Sequence, residues 1–449
     1  TWRTTSRLTL TYGLRYEVNP APSEKDGREP VTVLTLNNPT ALAPRGTRFY
    51  ETTFNNFSPR VGASYQLSQK HGTVVRGGFG MFYDLGYNFT GTAFSATLYP
   101  NARTLGLTNQ TFTAATAAVQ PPAVSANPPY PRIFAYQRDF KLPYTLQYNV
   151  AIEQSIGASN VIKATYVGAN GRRLGRVTTL VNPGFFTRID AVTNDATSDY
   201  HSLQLQYQRR LSKGLQALVS YTFAKSLDIV SEESFQNRQS PTGRFDPKQD
   251  RGPSSFDLRH AFNAAISYAI PSPFADGAGK AIFGGFGLDT IIRARSATPV
   301  NVLSGRDPFG LGFTTVSRPD LVAGQPLYLN DPSFAGGRRF NPAAFDGVTP
   351  IAQGRQGTLG RNVLRGFAAN QLDVALRRDF KLVESLNLQF RLDAFNLFNH
   401  ANFANPNGIL TSAIFGRATQ MLSSGLGGLS PLYQIGGPRS LQLALKLQF

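Results

Sequence analysis

The feature that most constrains this chain is a strict alternation of apolar and polar side chains that persists for about ten residues at a time. In the last segment, Ser440 to Phe449, alternate positions are leucine and then Phe449, while Gln442, Lys446 and Gln448 lie between them. A period of two is that of a β-strand, whose successive side chains point to opposite faces. Strands of about nine to eleven residues, tilted by about 45°, are long enough to cross the hydrocarbon core of a bilayer.

The same alternation predicts about twelve such strands along the chain. Their centres lie near Tyr12, Ala63, Phe79, Tyr148, Ala164, Leu205, Val219, Ile266, Thr290, Val374, Phe390 and Leu445. Strands of soluble sandwiches are usually only about five or six residues long. The sequence therefore predicts an all-β protein, an antiparallel transmembrane β-barrel.

The predicted connections alternate between short and long. The short ones are Leu67 to Thr73, Ser155 to Asn160, Leu211 to Gly214 and Lys381 to Ser385, with Pro271 to Gly285 somewhat longer. The long ones are Val18 to Asn56, Asp84 to Pro143, Gly168 to Asp199, Lys225 to Leu258, Ser296 to Asn370 and Asn399 to Arg439. Outer-membrane barrels have short periplasmic turns and long extracellular loops, so this alternation of connection lengths favours a barrel over a sandwich.

Composition agrees with a barrel in the outer membrane. No run of about 18 apolar residues occurs, which excludes transmembrane helices from the prediction. The chain has no cysteine, which excludes disulfides and thiolate metal sites. The net charge of +18 predicts contact with polyanions such as lipid headgroups or lipopolysaccharide phosphates. Nucleic acid is not an expected partner, because neither a recognisable binding module nor a basic helix is present.

Seven stretches together resemble the barrel of TonB-dependent receptors, in particular the Oar-like kind. They are NNFSPRVGASYQLS (Asn55 to Ser68), GGFGMFYD (Gly77 to Asp84), FDLRHAFNAAISY (Phe256 to Tyr268), FNPAAF (Phe340 to Phe345), GTLGRNVLRG (Gly357 to Gly366), FRLDAFNLFNHANF (Phe390 to Phe403) and GPRSLQLALKLQF (Gly437 to Phe449). The resemblance runs from about Trp2 to the end of the chain.

This resemblance implies a barrel of about 22 strands around a plug domain. Residues 1–449 are then expected to form the distal part of the barrel, incomplete at its N-terminal side. The plug and an N-terminal regulatory-like domain would lie upstream of Thr1. The implied function is energy-coupled import of a siderophore, oligosaccharide, peptide or protein, with the TonB complex contacting a plug segment outside this chain. Phe449, Leu447 and Leu445 resemble the signal recognised by the barrel-assembly machinery.

Basic residues on the polar side of the predicted strands are expected to face the lumen. They are Arg15, Arg60, Arg76, Arg293, Arg295, Arg377 and Arg391. One interpretation is that they pair with Glu17, Asp289, Asp373 and Asp393 on the same face. The other is an electropositive lumen that holds an acidic plug or guides an anionic substrate.

The long loops are the expected place for ligand binding. Their candidate ligand-contacting aromatics are Phe94, Tyr99, Tyr130, Phe134, Tyr136, Phe309, Phe313 and Tyr328. The alternative is that these side chains pack the loops against one another. Loop arginines are candidates for contacts with lipopolysaccharide: Arg338, Arg339, Arg355, Arg361 and Arg365.

No catalytic constellation stands out, and neither an enzyme nor a cofactor is expected. The four histidines, His71, His201, His260 and His400, are scattered through turns and strand ends. A calcium site at Glu232 and Glu233, near Asp228, is a minor alternative to a solvated loop tip. The rival functions are a passive channel without a plug and a surface adhesion or display barrel.

Overall fold

The computed structural model describes residues 1–449 except 28, 38, 85–90, 92, 95–98, 101–122, 124, 232–246, 308–316, 384–385 and 423–435. The strands within this described part are β1 (Trp2–Arg3), β2 (Leu8–Glu17), β3 (Asn56–Ser68), β4 (Thr73–Tyr83), β5 (Ile133–Tyr136), β6 (Tyr144–Ile156), β7 (Asn160–Val181), β8 (Arg188–Ser212), β9 (Leu215–Asp228), β10 (Gly252–Pro253), β11 (His260–Ala269), β12 (Phe286–Arg295), β13 (Pro299–Val300), β14 (Asp320–Leu321), β15 (Tyr328–Asn330), β16 (Arg338–Phe340), β17 (Phe345–Asp346), β18 (Leu364–Arg365), β19 (Ala369–Val383), β20 (Leu386–Phe395) and β21 (Ser440–Gln448). The helices are α1 (Gly277–Phe283) and α2 (Thr349–Ala352), with 3₁₀ turns at Pro247–Asp250, Ala335–Gly337 and Pro342–Ala344.

One sheet dominates the fold, and its strands follow chain order. The path is β1-β2-β3-β4-β6-β7-β8-β9-β11-β12-β19-β20-β21, with antiparallel pairing along it. Each predicted strand centre lies inside a different long strand of this path, so the predicted twelve-strand wall is confirmed. Among the described residues the two ends of the path do not pair with each other, and the wall is a partial barrel.

The pairing register keeps one face apolar and the other polar from strand to strand. One apolar row crosses six strands through Leu215, Tyr268, Leu288, Leu376, Leu392 and Leu443. The row beside it, on the opposite face, contains Gln216, Ser267, Asp289, Ala375, Asp393 and Gln442. A slip by one residue in any pair would exchange the two faces, so the alternating sequence itself fixes the register.

Short connections lie at one end of the wall, called here the turn side. They are 69–72, 157–159 and 213–214, with the longer 270–285 that contains α1. The connections at the opposite end, called here the loop side, comprise the described residues of 18–55, 84–143, 229–259, 296–368 and 396–439.

The predicted long loop from Gly168 to Asp199 is wrong. In the structure β7 continues to Val181 and β8 begins at Arg188, so only residues 182–187 connect them. The two strands extend beyond the wall as a hairpin, called here the hairpin extension (residues 170–199). Its ladder continues because the stretch Val177–Val181 is rich in β-branched residues, which favour an extended backbone.

The hairpin extension is covered on both faces by loop residues. Strand β5 pairs with β8 in parallel, and all four β5 residues are buried. One hydrophobic cluster contains Phe49, Tyr50, Phe134, Tyr136, Phe140, Val177 and Val192. The other contains Val33, Tyr99, Ile133, Ala135, Leu180, Phe186, Ile189 and Ala191. The hairpin extension and the described residues of 18–55 and 84–143 that pack on it are called here the first loop unit, and these clusters give it a core of its own.

A second loop unit is formed by the described residues of 296–368 together with part of 396–422. Its core contains Val300, Val302, Phe340, Ala344, Phe345, Leu359, Leu364 and Phe415. Short strand pairs, β13 with β18, β14 with β17 and β15 with β16, hold its backbone. The described residues of these long connections therefore form compact units with buried cores.

Candidate functional site: the polar wall face and the loop-side cavity

The register places all seven predicted lumen arginines on the polar face. In β3 and β4, for example, Arg60 and Ser64 share a face, and Ser64 lies opposite Arg76. In β19 and β20, Arg377 lies opposite Arg391. The seven are Arg15, Arg60, Arg76, Arg293, Arg295, Arg377 and Arg391.

Each carboxylate that the sequence pairs with this set is part of an ion pair. Arg15 Nε lies 2.9 Å from the Glu17 carboxylate, and Arg293 Nη1 lies 3.2 Å from that of Asp373. Arg391 reaches two carboxylates on neighbouring positions of the polar face. Its Nη1 is 2.7 Å from Asp289, and its Nε is 2.9 Å from Asp393.

Asp289 is the centre of this network. Arg377 Nε is 3.3 Å from its Oδ2, and the Ser267 hydroxyl donates to its Oδ1 over 2.7 Å. Arg377 also lies 3.2 Å from Asp379. The cations here are matched by carboxylates, so this part of the polar face has little excess positive charge.

Three of the seven arginines have a different environment. Arg60, Arg76 and Arg295 make no ion pair within the described part of the chain. The Arg60 guanidinium instead lies 4.4 Å from the centroid of the Phe82 ring. Among the seven arginines, these three positions therefore supply the positive charge that has no carboxylate partner in the described residues.

Two buried arginine–aspartate pairs hold the 296–368 loop in place on the loop side. Arg318 Nη1 lies 2.6 Å from the Asp250 carboxylate, and their side chains are 6% and 2% exposed. Arg361 pairs with Asp228, which is also nearly fully buried. A buried charge is costly unless it is paired, so the first pair fixes the 296–368 loop to the 229–259 loop, and the second fixes it to the end of β9 at Asp228.

The other loop arginines also have partners within the protein. Arg365 lies 2.6 Å from Asp257, and Arg355 lies 2.6 Å from Asp320. The Arg355 hydrogen bond keeps the pKa of the Asp320 carboxyl below its ordinary value. Arg338 and Arg339 stack on the rings of Tyr328 and Phe334. A contact between these arginines and lipopolysaccharide stays a prediction.

The candidate loop aromatics lie within the loop cores wherever the structure describes them. Phe134 and Tyr136 are each 1% exposed, and Tyr99 is 8% exposed. Phe94, Tyr130 and Tyr328 pack against the same clusters. Burial raises the pKa of the Tyr136 hydroxyl.

These positions match the packing interpretation of the aromatics. Phe309 and Phe313 lie outside the described residues. A ligand-contacting role for any of the eight stays a prediction.

A cavity of about 420 Å³ lies between residues 34–37 and one face of the hairpin extension. Its lining includes Leu34, Leu36, Asn37, Arg176, Thr178 and Thr193. We call it the hairpin cavity. Its volume is within the range of small-ligand sites, which are about 300–1,000 Å³. The buried Thr178 hydroxyl has no hydrogen-bond partner among the described residues.

The hairpin cavity was not among the sites predicted from the sequence, because residues 168–199 were expected to form a loop. The β-branched stretch at the end of β7 was the available signal.

The histidines do not form a site. His201 Nδ1 lies 2.7 Å from the Tyr166 hydroxyl, and His260 Nδ1 lies 2.7 Å from that of Tyr221. The described residues contain no group of three or more His, Cys, Asp or Glu side chains that could hold a metal ion. Glu232 and Glu233 lie outside the described residues.

In the described part of the chain, no helix is both long and apolar enough to span a membrane.

Comparison with protein families decides the assignment. The family described as "Outer membrane beta barrel domain" matches residues 1–442. The chain belongs to this family. This chain is therefore located in the cell outer membrane. In such barrels the apolar face of the wall contacts lipid and the polar face lines the interior.

Three solved structures are reported as similar to this outer membrane beta barrel. The outer membrane transporter YddB from Escherichia coli is 12% identical, with a TM-score of 0.48 over 88% of this chain and 40% of its own. The pyoverdine outer membrane receptor FpvA from Pseudomonas aeruginosa is 10% identical, with a TM-score of 0.47 over 100% of this chain and 40% of its own. The iron transporter FrpB from Neisseria meningitidis is 12% identical, with a TM-score of 0.46 over 99% of this chain and 43% of its own.

The chain thus spans well under half the length of the solved proteins described above. The search of curated proteins gave no match.

Proposed function

We propose that the protein carrying this chain is an energy-coupled receptor that captures a ligand on the loop side and imports it across the outer membrane. The observation that carries the proposal is the architecture of the loop side. The described residues of its connections form folded units with their own cores, and one unit lines the hairpin cavity of about 420 Å³. Binding residues are commonly found on loops that a rigid scaffold positions.

Energy coupling is proposed from the resemblance of seven sequence stretches to TonB-dependent receptors. It requires a plug and a TonB-contacting segment, which would be encoded elsewhere in the same protein. Arg60, Arg76 and Arg295 supply positive charge on the polar face for an acidic plug or an anionic ligand. The ligand belongs to one of the classes that the resemblance implies: siderophore, oligosaccharide, peptide or protein.

Uptake by whole cells tests the coupling. Cells that produce the full protein are supplied with one labelled representative of each ligand class, with and without a proton uncoupler. We expect uptake of one class that stops when the proton gradient collapses. Uptake that continues without the gradient would indicate a passive channel. Surface binding without any uptake would indicate a display barrel.

A substitution at the rim of the hairpin cavity tests its role in capture. Leu34 is 55% exposed, so Leu34→Trp occupies the cavity mouth without disturbing a buried core. We expect the Kd for the imported ligand to rise by about tenfold or more, which corresponds to about 1.4 kcal/mol. Leu67→Trp on the turn side is the matched control, because Leu67 is also 55% exposed. Equal Kd values in the two variants would exclude the hairpin cavity as the capture site.

A further inference from the structure

The connection between β11 and β12 differs from the other turns on the turn side. Residues 270–285 contain α1, whereas 69–72, 157–159 and 213–214 are tight turns. It is also apolar and exposed: Phe274 is 47%, Ile282 is 56% and Phe283 is 52% accessible. The Phe274 and Phe283 rings pack together with a centroid distance of 5.6 Å.

Helix α1 lacks a core of its own. It has seven residues, and none of them is buried. A helix shorter than about 12 residues is marginally stable in water, because the free-energy cost of nucleating it exceeds the stabilisation that a few hydrogen bonds contribute. Its large apolar side chains therefore need an apolar environment outside the described protein.

Arg378 shows which side of the wall this helix occupies. The register places Arg378 on the apolar face, in a row with Phe286, Phe390 and Leu445. Its guanidinium lies 4.8 Å from the Phe286 ring centroid and 4.4 Å from that of Phe380.

The same Arg378 guanidinium donates a hydrogen bond to the Ala281 carbonyl, in the last turn of α1. Carbonyls at a helix C-terminus lack internal partners and carry partial negative charge, so a cation stabilises them. Arg378 thus fixes the C-terminal end of α1 to the apolar face of the wall.

We propose that residues 270–285 form an interfacial anchor in the phospholipid leaflet at the turn side of the barrel. The apolar face that α1 joins is the lipid-facing one, and it continues at the end of β19 with Leu382, which is 52% exposed. In this placement Ile282 and Phe283 enter the acyl boundary, and the exposed Lys280 reaches lipid phosphates. The inference rests on membership of the barrel family and is independent of the proposed function.

Site-directed spin labelling tests the anchor, because this chain contains no cysteine. The full protein, with any cysteine outside this chain replaced by serine, carries a nitroxide at Phe283→Cys in phospholipid bilayers. Leu205→Cys on the apolar face is the lipid reference, and Ala158→Cys in the β6–β7 turn is the water reference. We expect the label at 283 to collide more with oxygen than with a water-soluble nickel complex, as at 205.

Two outcomes would overturn the proposal. The label at 283 would be as accessible to nickel as the label at 158, or it would be shielded from both reagents by another part of the protein. A second measurement addresses the Arg378 contact. In Arg378→Gln the accessibility of the label at 283 should shift toward that of the water reference. In Arg378→Lys the label should keep most of its depth in the bilayer. An unshifted label in Arg378→Gln would refute the role of Arg378.

Discussion

Arg176 and Asp195 form a two-point ion pair across the hairpin extension. The Nε–Oδ1 distance is 2.9 Å, and the Nη2–Oδ2 distance is 2.6 Å. The Arg176 side chain is 1% exposed and lines the hairpin cavity. Burial alone would raise the pKa of Asp195, but the hydrogen bonds and charge of Arg176 outweigh it, and the pKa is lowered. The pair therefore holds the part of the hairpin that forms one side of the hairpin cavity.

Replacing Arg176 should loosen this hairpin. In Arg176→Met, Asp195 loses its charged partner, and we expect the free energy of local opening to fall by about 1–3 kcal/mol. Hydrogen exchange of the amides of residues 172–197 measures the change. Arg173→Met is the control, because Arg173 is an exposed neighbour on the same strand. Unchanged protection in Arg176→Met would show that the pair does not hold the hairpin.

The network around Asp289 should behave as a coupled unit. Arg391 Nη1 lies 2.7 Å from the Asp289 carboxylate, so Asp289→Asn and Arg391→Gln remove the same interaction. In a double-mutant cycle we expect a coupling energy of about 0.5–3 kcal/mol in the free energy of unfolding. Urea unfolding in lipid vesicles measures it. As a control, the changes in unfolding free energy caused by Asp289→Asn and the distant Arg60→Gln should add. A coupling energy of equal size in that control pair would contradict a specific Asp289–Arg391 interaction.

Protonation of Asp320 in acid should destabilise the second loop unit. Because Arg355 lowers its pKa below the ordinary 3.8, this carboxylate stabilises the folded loop at and above that pH. The contribution is lost as the pH falls through the lowered pKa. Hydrogen exchange of residues 317–359, corrected for intrinsic rates, should show less protection below pH 3.8 than at pH 6. Asp320→Asn should lose protection at pH 6 and show a weaker dependence on acid.

Phe449 should affect assembly rather than stability. Its side chain is 98% exposed, so its removal sacrifices almost no packing. If the last strand with Phe449, Leu447 and Leu445 is the assembly signal, deletion of Phe449 should lower the fraction of protein folded in the outer membrane. Heat-modifiable migration on gels after pulsed expression measures that fraction. Phe449→Tyr should assemble normally, and equal assembly of the deletion variant would exclude the signal.

The wall was predictable from the sequence because the alternation that defines each strand lies within that strand. Alternation within one strand, such as Leu441 to Leu447, fixes which side chains share a face without knowledge of any partner. The antiparallel order then follows from the short turns. The placement of these arginines and carboxylates on one face was predictable for the same reason, since Arg391 and Asp393 are two residues apart on one strand.

The loop side was not predictable, because its interactions join residues that are distant in sequence. Arg318 and Asp250 are 68 positions apart, and Arg361 and Asp228 are 133 apart. Neither member of such a pair has a local signature that distinguishes it from a solvated charge. The hairpin extension was missed because strand length was limited to the bilayer span. The β-branched residues of Val177–Val181 extend the ladder beyond it.

The loop units have an evolutionary consequence. Each has a core whose buried side chains belong to the loops and the hairpin extension, and the two sets share no residue. Substitutions that remodel one unit therefore leave the alternation of the wall intact. A lineage can therefore vary its loop-side surface and still inherit an unchanged transmembrane frame.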